Sequence, residues 1–351
     1  MLTTIPQNDT FDLQPWVGQR SSSFRFNLIN GLTGENRGTI TPIRTASLTH
    51  NTTATIKRRL SISLGKVDTA DIQPLTDRVD VEMILGDGSV WPLGRYMFTD
   101  QSNQVFTSGL LSNVVLNDEM FLVDQDIIVG YDATGKTTET AYREILAGLP
   151  ITLRIEDAGG FTMSQSWGVG SSRGSMLNAL AVSGDYFSPW FGNDTFMHLR
   201  RTFNPADEVP QFDWDSGNQV MREGIVETSN VLTAPNRFVV ISNTGAQLAP
   251  VVGVATVPVT APNSFANRGF YITDTQTLQL SDPSQAAAVA RGLANRQTVF
   301  ETVTVNTAAD PRHDSYDVIF WRGSFWLELG WTMQMAPGGM MSHTLRKAYA
   351  P

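Results

Sequence analysis

The sequence predicts a mainly β protein with an α+β middle, built as two barrel- or sandwich-like units around a mixed segment. Three observations predict it. Thr52 to Phe98 and Val299 to Tyr349 are both long β-rich runs full of Arg, Trp and Gly turns. The stretch between them changes to helical spacing. Charged residues make up only 17% of the 351 residues, below the roughly 25% usual for globular domains, as expected of a building block whose surface is partly taken up by neighbours. The expected division is 1–118 for the first β unit, 119–230 for the mixed middle and 231–351 for the second β unit, in line with about 150 residues per domain.

Along the chain, Phe24-Arg-Phe-Asn-Leu-Ile-Asn30 alternates and reads as a strand, and Gly31-Leu-Thr-Gly34 turns it toward a partner at Thr39 to Ile43. Thr53 to Leu64 alternates again through Ala54, Ile56, Arg58, Leu60, Ile62 and Leu64. Arg78 to Leu85 and Val90 to Phe98 flank Gly86-Asp87-Gly88-Ser89, a hairpin signal. Val105 to Leu116 adds one or two strands, and so many strands with almost no helix favour a barrel or sandwich.

The pattern changes near Asn117-Asp118-Glu119, where a cap precedes a short helix over Met120 to Val123. Asp126 to Val129 reads as a short strand, Thr138 to Leu149 as a helix stopped by Pro150, and Ser175 to Ser183 as a second helix. Tyr186 to Arg201 reads as a hairpin around Gly192-Asn193-Asp194. The β pattern returns at Arg237 to Ser242, and Leu248 to Asn267, rich in Pro, Val and Thr, reads as extended loop or edge strand. Ser281-Asp-Pro-Ser-Gln285 opens a helix to Asn295. Strands follow at Glu301 to Asn306, Ser315 to Trp321, Ser324 to Met335 and Ser342 to Ala348, with a tight turn at Arg322-Gly323.

Composition excludes several classes. A net charge of −9 disfavours tight duplex binding, which sets Lys and Arg against phosphates. The absence of Cys rules out a disulfide framework, a thiolate nucleophile and a Cys zinc site. Met1 to Thr10 has neither the basic nor the apolar region of a signal peptide. No apolar run approaches about 18 residues, so no membrane insertion is expected.

Four motifs carry possible chemistry. Gly130-Tyr-Asp-Ala-Thr-Gly135-Lys136-Thr137 matches G-x-x-x-x-G-K-T, in which backbone N–H groups cradle phosphates, Lys136 reaches the outer ones and Thr137 holds magnesium. That loop needs parallel strands with crossover helices. The flanks here are antiparallel β, and Asp132 would put a carboxylate in the cradle, so a turn capped by Thr137 or Thr138 is preferred. Gly170-Ser-Ser172-Arg-Gly174 matches G-x-S-x-G, with Asp213 or Asp215 and His313 in the order of a triad. No oxyanion loop precedes it, and a turn with Ser175 capping the next helix is preferred. Asp213-Trp-Asp215-Ser-Gly-Asn218 hints at calcium, but Gly217 falls early and no closing Glu follows, so an Asx-turn loop is the default. The histidines, His50, His198, His313 and His343, are scattered without metal spacing and read as structural or exposed. Arg58-Arg59, Arg200-Arg201 and Arg346-Lys347 read as ion-pair or interface residues. Trp321, Phe325, Trp326 and Trp331 read mostly as core, with one or two free to anchor a subunit contact. No catalytic, cofactor-binding or metal residue is assigned, and no cofactor is expected.

Several stretches resemble tail proteins of long-tailed actinobacteriophages. They are Phe24 to Asn30, Leu60-Ser-Ile-Ser-Leu64, Asp77-Arg78-Val79 and Trp91-Pro-Leu-Gly94-Arg-Tyr-Met-Phe98. Ser166-Trp167, Leu177 to Gly184 and Phe191-Gly192-Asn193 are similar to the second part of tail hub proteins. Asn236 to Ser242, Gln285-Ala286, Glu301-Thr-Val303, Asp314 to Val318 and Pro337-Gly-Gly-Met340 extend the likeness to the end.

The resemblance implies a tail-tip or baseplate hub: two β-barrel domains related to the tail-tube fold, two smaller middle domains, and a homotrimeric ring forming a pseudo-sixfold torus. It makes the helix near 281–297 an insert in the second barrel. The ring would link the six-fold tube to three-fold tip proteins and form part of the DNA channel at the virion tail tip, after assembly in the host cytoplasm. Distal tail protein, tail tube or tape measure protein and tail fibre or tip proteins are the expected partners, with genome DNA passing without specific binding. The alternative is a distal tail ring or other minor tail adaptor; a P-loop nucleotide-binding enzyme ranks below both. The peptidase, lysin or fibre module of some hubs is not expected after Pro351. The resemblance supplies no catalytic residue, and neither Lys136 nor Ser172 corresponds to one.

Overall fold

The computed structural model describes residues 22–41, 43–65, 72–106, 109–126, 130–156, 161–216, 221–230, 232–242, 250–280, 282–297 and 301–349. Met1 to Thr10, Val129, Gly217, Asn218, Leu248, Ser281, Val299 and Pro351 lie outside them, as does all of the strand expected at Asp126 to Val129 beyond Asp126.

The first unit consists of strands β1 (Ser22–Asn30), β2 (Asn36–Thr39), β3 (Ile43–Asn51), β4 (Arg58–Leu64), β5 (Asp77–Leu85), β6 (Val90–Phe106) and β7 (Gly109–Asp118). They pair antiparallel in the order β3-β4-β7-β6-β5-β1-β2. Strand alternation decides the interior: Leu60, Ile62 and Leu64 of β4 and Val79, Val81 and Met83 of β5 point inward, with polar neighbours outward. Leu48 and Leu116 complete an aliphatic core. One expectation fails here. Thr53 to Ile56 is a turn, not strand, because the Asn51 carboxamide accepts Thr53 N at 2.9 Å and Thr53 Oγ1 at 2.7 Å, ending β3 in an Asx turn.

The middle segment packs helix α1 (Met120–Gln125), helix α2 (Thr138–Ile145) and helix α3 (Arg173–Ser183) around Met120, Val123, Tyr142, Ile145, Leu177 and Leu180. Strands β8 (Tyr131–Asp132) and β10 (Ser166–Trp167) pair antiparallel. Strand β9 (Leu153–Ile155) runs parallel to β12 (Met197–Leu199), which pairs with β11 (Trp190–Phe191) as the expected hairpin.

Strands β13 (Phe212–Asp213) and β14 (Met221–Ser229) then enter the large sheet. A separate three-stranded sheet follows: β15 (Arg237–Ser242), β16 (Val252–Thr256) and β17 (Thr273–Leu278), with a short helix α4 (Phe265–Arg268) in the loop. Helix α5 (Pro283–Gln297) covers one face of it. Its Ala286, Ala290 and Ala294 are buried, and small side chains allow close approach; a Cβ on Gly253 of β16 would lie 2.1 Å from Ala286 O. Four strands close the chain: β18 (Glu301–Ala308), β19 (Val318–Trp321), β20 (Ser324–Gln334) and β21 (Met340–Lys347). The β19–β20 turn has positive φ at Arg322 (52°) and Gly323 (65°), the two-residue geometry that suits strand twist.

The two β units are not separate sheets. Strand β20 pairs antiparallel with β3, from Gly330 opposite Asn51 to Gln334 opposite Ser47. The result is one thirteen-stranded sheet whose main path runs from β14 through β18, β21, β20 and β3 to β2. The mainly β class with a mixed middle is as expected. Among the described residues no closed barrel forms, and β3 spends its second edge on β20 instead of on its own unit.

Candidate functional site

A dense polar feature lies where the first β unit, the middle segment and the last β unit meet. Alternation in β4 turns Arg58 inward, and its side chain is 1% exposed. Arg58 Nη2 donates to Asp314 Oδ1 at 2.6 Å and Nη1 to Asn193 Oδ1 at 2.6 Å. Asn193 Nδ2 passes the connection on to the carbonyls of Pro311 and His313, both at 3.1 Å. One guanidinium thus ties β4, the β11–β12 hairpin and the loop before β19. Burial works against its charge, but Asp314, Tyr96 and Asp118 outweigh it and raise its pKa. Asp118 accepts Arg58 N at 2.9 Å and Met120 N at 3.0 Å, so one carboxylate closes β4 against the start of α1. Burial pushes that carboxyl up to about 6 despite these donors. Lys57 is also buried, which brings it down to about 8, and its ammonium donates to Thr52 O and Ala54 O.

A second cluster lies alongside. His313 Nδ1 is 2.8 Å from Glu328 Oε2, and His343 Nδ1 is 2.5 Å from Glu328 Oε1. All three side chains are fully buried. Burial alone would raise the Glu328 carboxyl, but the two imidazoles bring it down to about 2. Burial and the Glu328 charge push Asp317 up to about 7. Phe212 stacks on His313 at 3.9 Å, and Trp214 packs edge-on against His343. His50 Nε2 lies 3.0 Å from Ser315 Oγ, and burial together with Arg58 lowers it well below the ordinary range, leaving it neutral. In the loop between, Tyr316 has φ 62°, rare for a bulky side chain, and stacks on Phe187 at 4.1 Å.

A register shift in the β20–β21 ladder builds the second cluster. Glu328 faces Leu345 and Trp331 faces His343, with the extra residue at Leu329. The bulge places Glu328 and Trp331 on one face despite their odd spacing. It also leaves Leu329 O to accept Thr52 N at 2.9 Å and Thr52 Oγ1 at 2.7 Å, which locks the two β units together.

The sequence motifs fare differently. Around Gly130 to Thr137 the backbone donors are already used: Ala133 N on Gln165 O, Thr134 N on Asp132 Oδ1, Gly135 N on Met163 O and Lys136 N on Ala133 O. Lys136 Nζ points away to Glu144 Oε2 at 2.6 Å, and Thr137 caps α2 by accepting Thr140 N. No phosphate cradle is left. Ser172 likewise caps α3 by accepting Ser175 N at 3.1 Å. Asp215 accepts the N–H groups of Arg322 and Gly323 at 2.7 and 2.8 Å, fastening the β19–β20 turn. Asp213 accepts Asp215 N and Ser216 N, the Asx turn read from the sequence. Of the basic pairs, Arg58 is the ion-pair residue expected, and Arg200 pairs with Glu156 and Glu208. Trp321, Trp326 and Trp331 are core. Three of the four histidines are fully buried, and the Glu328 cluster went unread because its members are 15 residues apart twice over, with no local spacing to betray them.

No protein-family model matches the sequence, and no curated protein matches it. Solved structures do match. A tail protein from Neisseria meningitidis superposes with a TM-score of 0.62 at 12% identity, covering 92% of this chain and 96% of the other. The 43 kDa tail protein of prophage MuSo2 from Shewanella oneidensis gives 0.63 at 11% identity, with 92% and 98% covered. Prophage tail protein gp18 from Listeria monocytogenes gives 0.61 at 6% identity, with 92% and 94% covered. The chain has the fold of phage tail proteins. At these identities the likeness is one of fold, and in each case it covers 92% of this chain.

Proposed function

We propose that this chain is a structural component of a phage tail tip, a hub ring that joins the tail tube to the tip proteins. The observation that carries this reading is the match to solved tail proteins, in which 92% of the chain corresponds to almost the whole of each of them. The spent phosphate-loop donors and the capping role of Ser172 support a non-enzymatic protein. Three copies would form the ring, with 1–118 and 231–351 as tube-related units and 119–230 as the middle domains. Two similar units per subunit in a three-fold ring offer six similar faces to a six-fold tube. Distal tail protein, tail tube or tape measure protein would sit on one side, and fibre or tip proteins on the other. The ring would assemble in the host cytoplasm and reside at the virion tail tip. With a net charge of −9, its bore would let DNA slide through. Among the described residues no helix is long and apolar enough to cross a membrane.

Light scattering on the purified chain, 38.5 kDa as a monomer, tests this. Three copies per particle is the expected result. Six copies would favour a distal tail ring, and a stable monomer whose ATP hydrolysis is lost in Lys136→Ala would overturn the structural reading.

A further inference from the structure

We infer that His313, Glu328 and His343 form a structural binding site for a zinc-class divalent cation. The deciding feature is convergence: His343 Nδ1 lies 2.5 Å from Glu328 Oε1, and on the far side of the same ring Nε2 lies 2.8 Å from Thr307 Oγ1, a hydroxyl that can accept from the imidazole while donating to Ala308 O at 2.9 Å. Such a pair of buried imidazoles on one carboxylate can hold either protons or a metal ion.

The surroundings favour the metal. The other Glu328 oxygen is 2.8 Å from His313 Nδ1, so a second imidazole nitrogen converges on the same carboxylate. One donor atom from each residue lies within 4.8 Å of the others. Two imidazoles and a carboxylate are an N₂O set that zinc accepts, with bonds of about 2.0–2.2 Å. Tetrahedral donors at such bond lengths stand about 3.3 Å apart, so the 2.5 and 2.8 Å contacts would open by about 0.5–0.8 Å to admit it. Asp317 Oδ2, 3.7 Å from His313 Nδ1, is the next donor in reach. Charge agrees as well. Asp310 has Arg312 at 2.6 Å, whereas among the described residues neither Glu328 nor Asp317 has a Lys or Arg partner. Thr307 stands behind His343 in the way that outer-shell acceptors orient metal-binding imidazoles. Full burial of all three donors points to a structural role, in which Asp317 would close the fourth position that a structural zinc site requires.

On binding, the ion takes the lone pairs of His343 Nδ1 and His313 Nδ1 and one Glu328 oxygen. A proton that either Nδ1 holds against Glu328 moves to Nε2 of the same ring, where Thr307 Oγ1 can accept it from His343, or is released if that ring is already doubly protonated. The ion would tie β20, β21 and the loop before β19 at one point.

The test uses the untagged full-length chain. It is unfolded with chelator, refolded with Co²⁺ in place of zinc, freed of excess ion and examined for metal content and visible ligand-field absorption. The expected result is one equivalent of cobalt with tetrahedral-type bands, displaced by zinc. Glu328→Gln and His343→Gln should lose the bands, and Thr307→Val should weaken binding by about 10–100-fold. If the wild-type chain refolds, as judged by circular dichroism and elution volume, yet holds no stoichiometric metal and shows no bands, the cluster is a purely hydrogen-bonded triad and the inference is overturned. Bands that persist in a folded Glu328→Gln variant place the ion elsewhere and overturn it equally. Neither result depends on the oligomeric state of the chain.

Discussion

The two β units obey the same inward–outward alternation but fill their interiors differently. The first is aliphatic, with Leu48, Leu60, Ile62, Val79, Val81 and Met83 in one core and its buried charges at its rim, at Lys57, Arg58 and Asp118 and at Asp77, which pairs with Arg37. The last packs Phe212 and Trp214 against His313 and His343, with Trp321 and Trp326 continuing the aromatic cluster. Alternation fixes which side chains point inward but not what they do there. An aliphatic interior loses stability in proportion to the surface removed. A polar interior loses it when a single partner disappears and leaves its mate buried and unpaired.

That contrast can be tested, beginning with the largest expected effect. Arg58→Ala strips the partner from Asp314 and Asn193 at once and should cost about 3–5 kcal/mol, read as a fall in the denaturant midpoint. Leu60→Ala, fully buried in the aliphatic core, should cost about 2–4 kcal/mol, and Leu60→Met less than about 1.5 kcal/mol. If Arg58→Ala costs less than Leu60→Ala, the polar junction is the softer of the two and the contrast fails.

A smaller effect comes with pH. Burial works against charge on His198, but Asp194 and Glu156, with Asp314 nearby, outweigh it and lift its pKa to about 9, while Trp190 stacks on the ring. A folded pKa above the unfolded value of about 6.5 means that its stabilising contribution is complete below that pH and is lost as the pH climbs through 9. Unfolding followed from pH 6 to 10 should show this decline in the wild type and a flatter profile in His198→Gln. The smallest effect belongs to Lys136→Ala. Because that ammonium pairs with Glu144 at the surface, the midpoint should not move and no nucleotide-dependent stabilisation should be lost.

Much of the first unit was legible in the sequence, because Leu60 to Leu64 and Val79 to Met83 alternate with polar residues and Gly86 to Ser89 supplies the turn. Strand β3 was not. Its inward residues are Ala46, Leu48 and His50 among Thr and Ser, a pattern too weak in apolar contrast to stand out. The pairing of β3 with β20 joins residues about 280 apart and has no local signal. The G-x-x-x-x-G-K-T letters were present, but a phosphate loop is defined by free N–H groups, and here turn and bridge bonds consume them. The junction was half visible: Arg58 read as an ion-pair residue, while Glu328 and the histidines met only through a bulge that strict alternation would not place.

The β3–β20 contact also bears on how the chain could be divided. A cut between the two β units, anywhere from the mixed segment to the α5 unit, would leave each fragment with a bare strand edge matched only by the other: Ser47 to Asn51 on one and Gly330 to Gln334 on the other. Such fragments, produced apart, would be sticky alone and would zip together when mixed, so the ladder that makes the intact chain one body would make the severed halves a natural complementation pair.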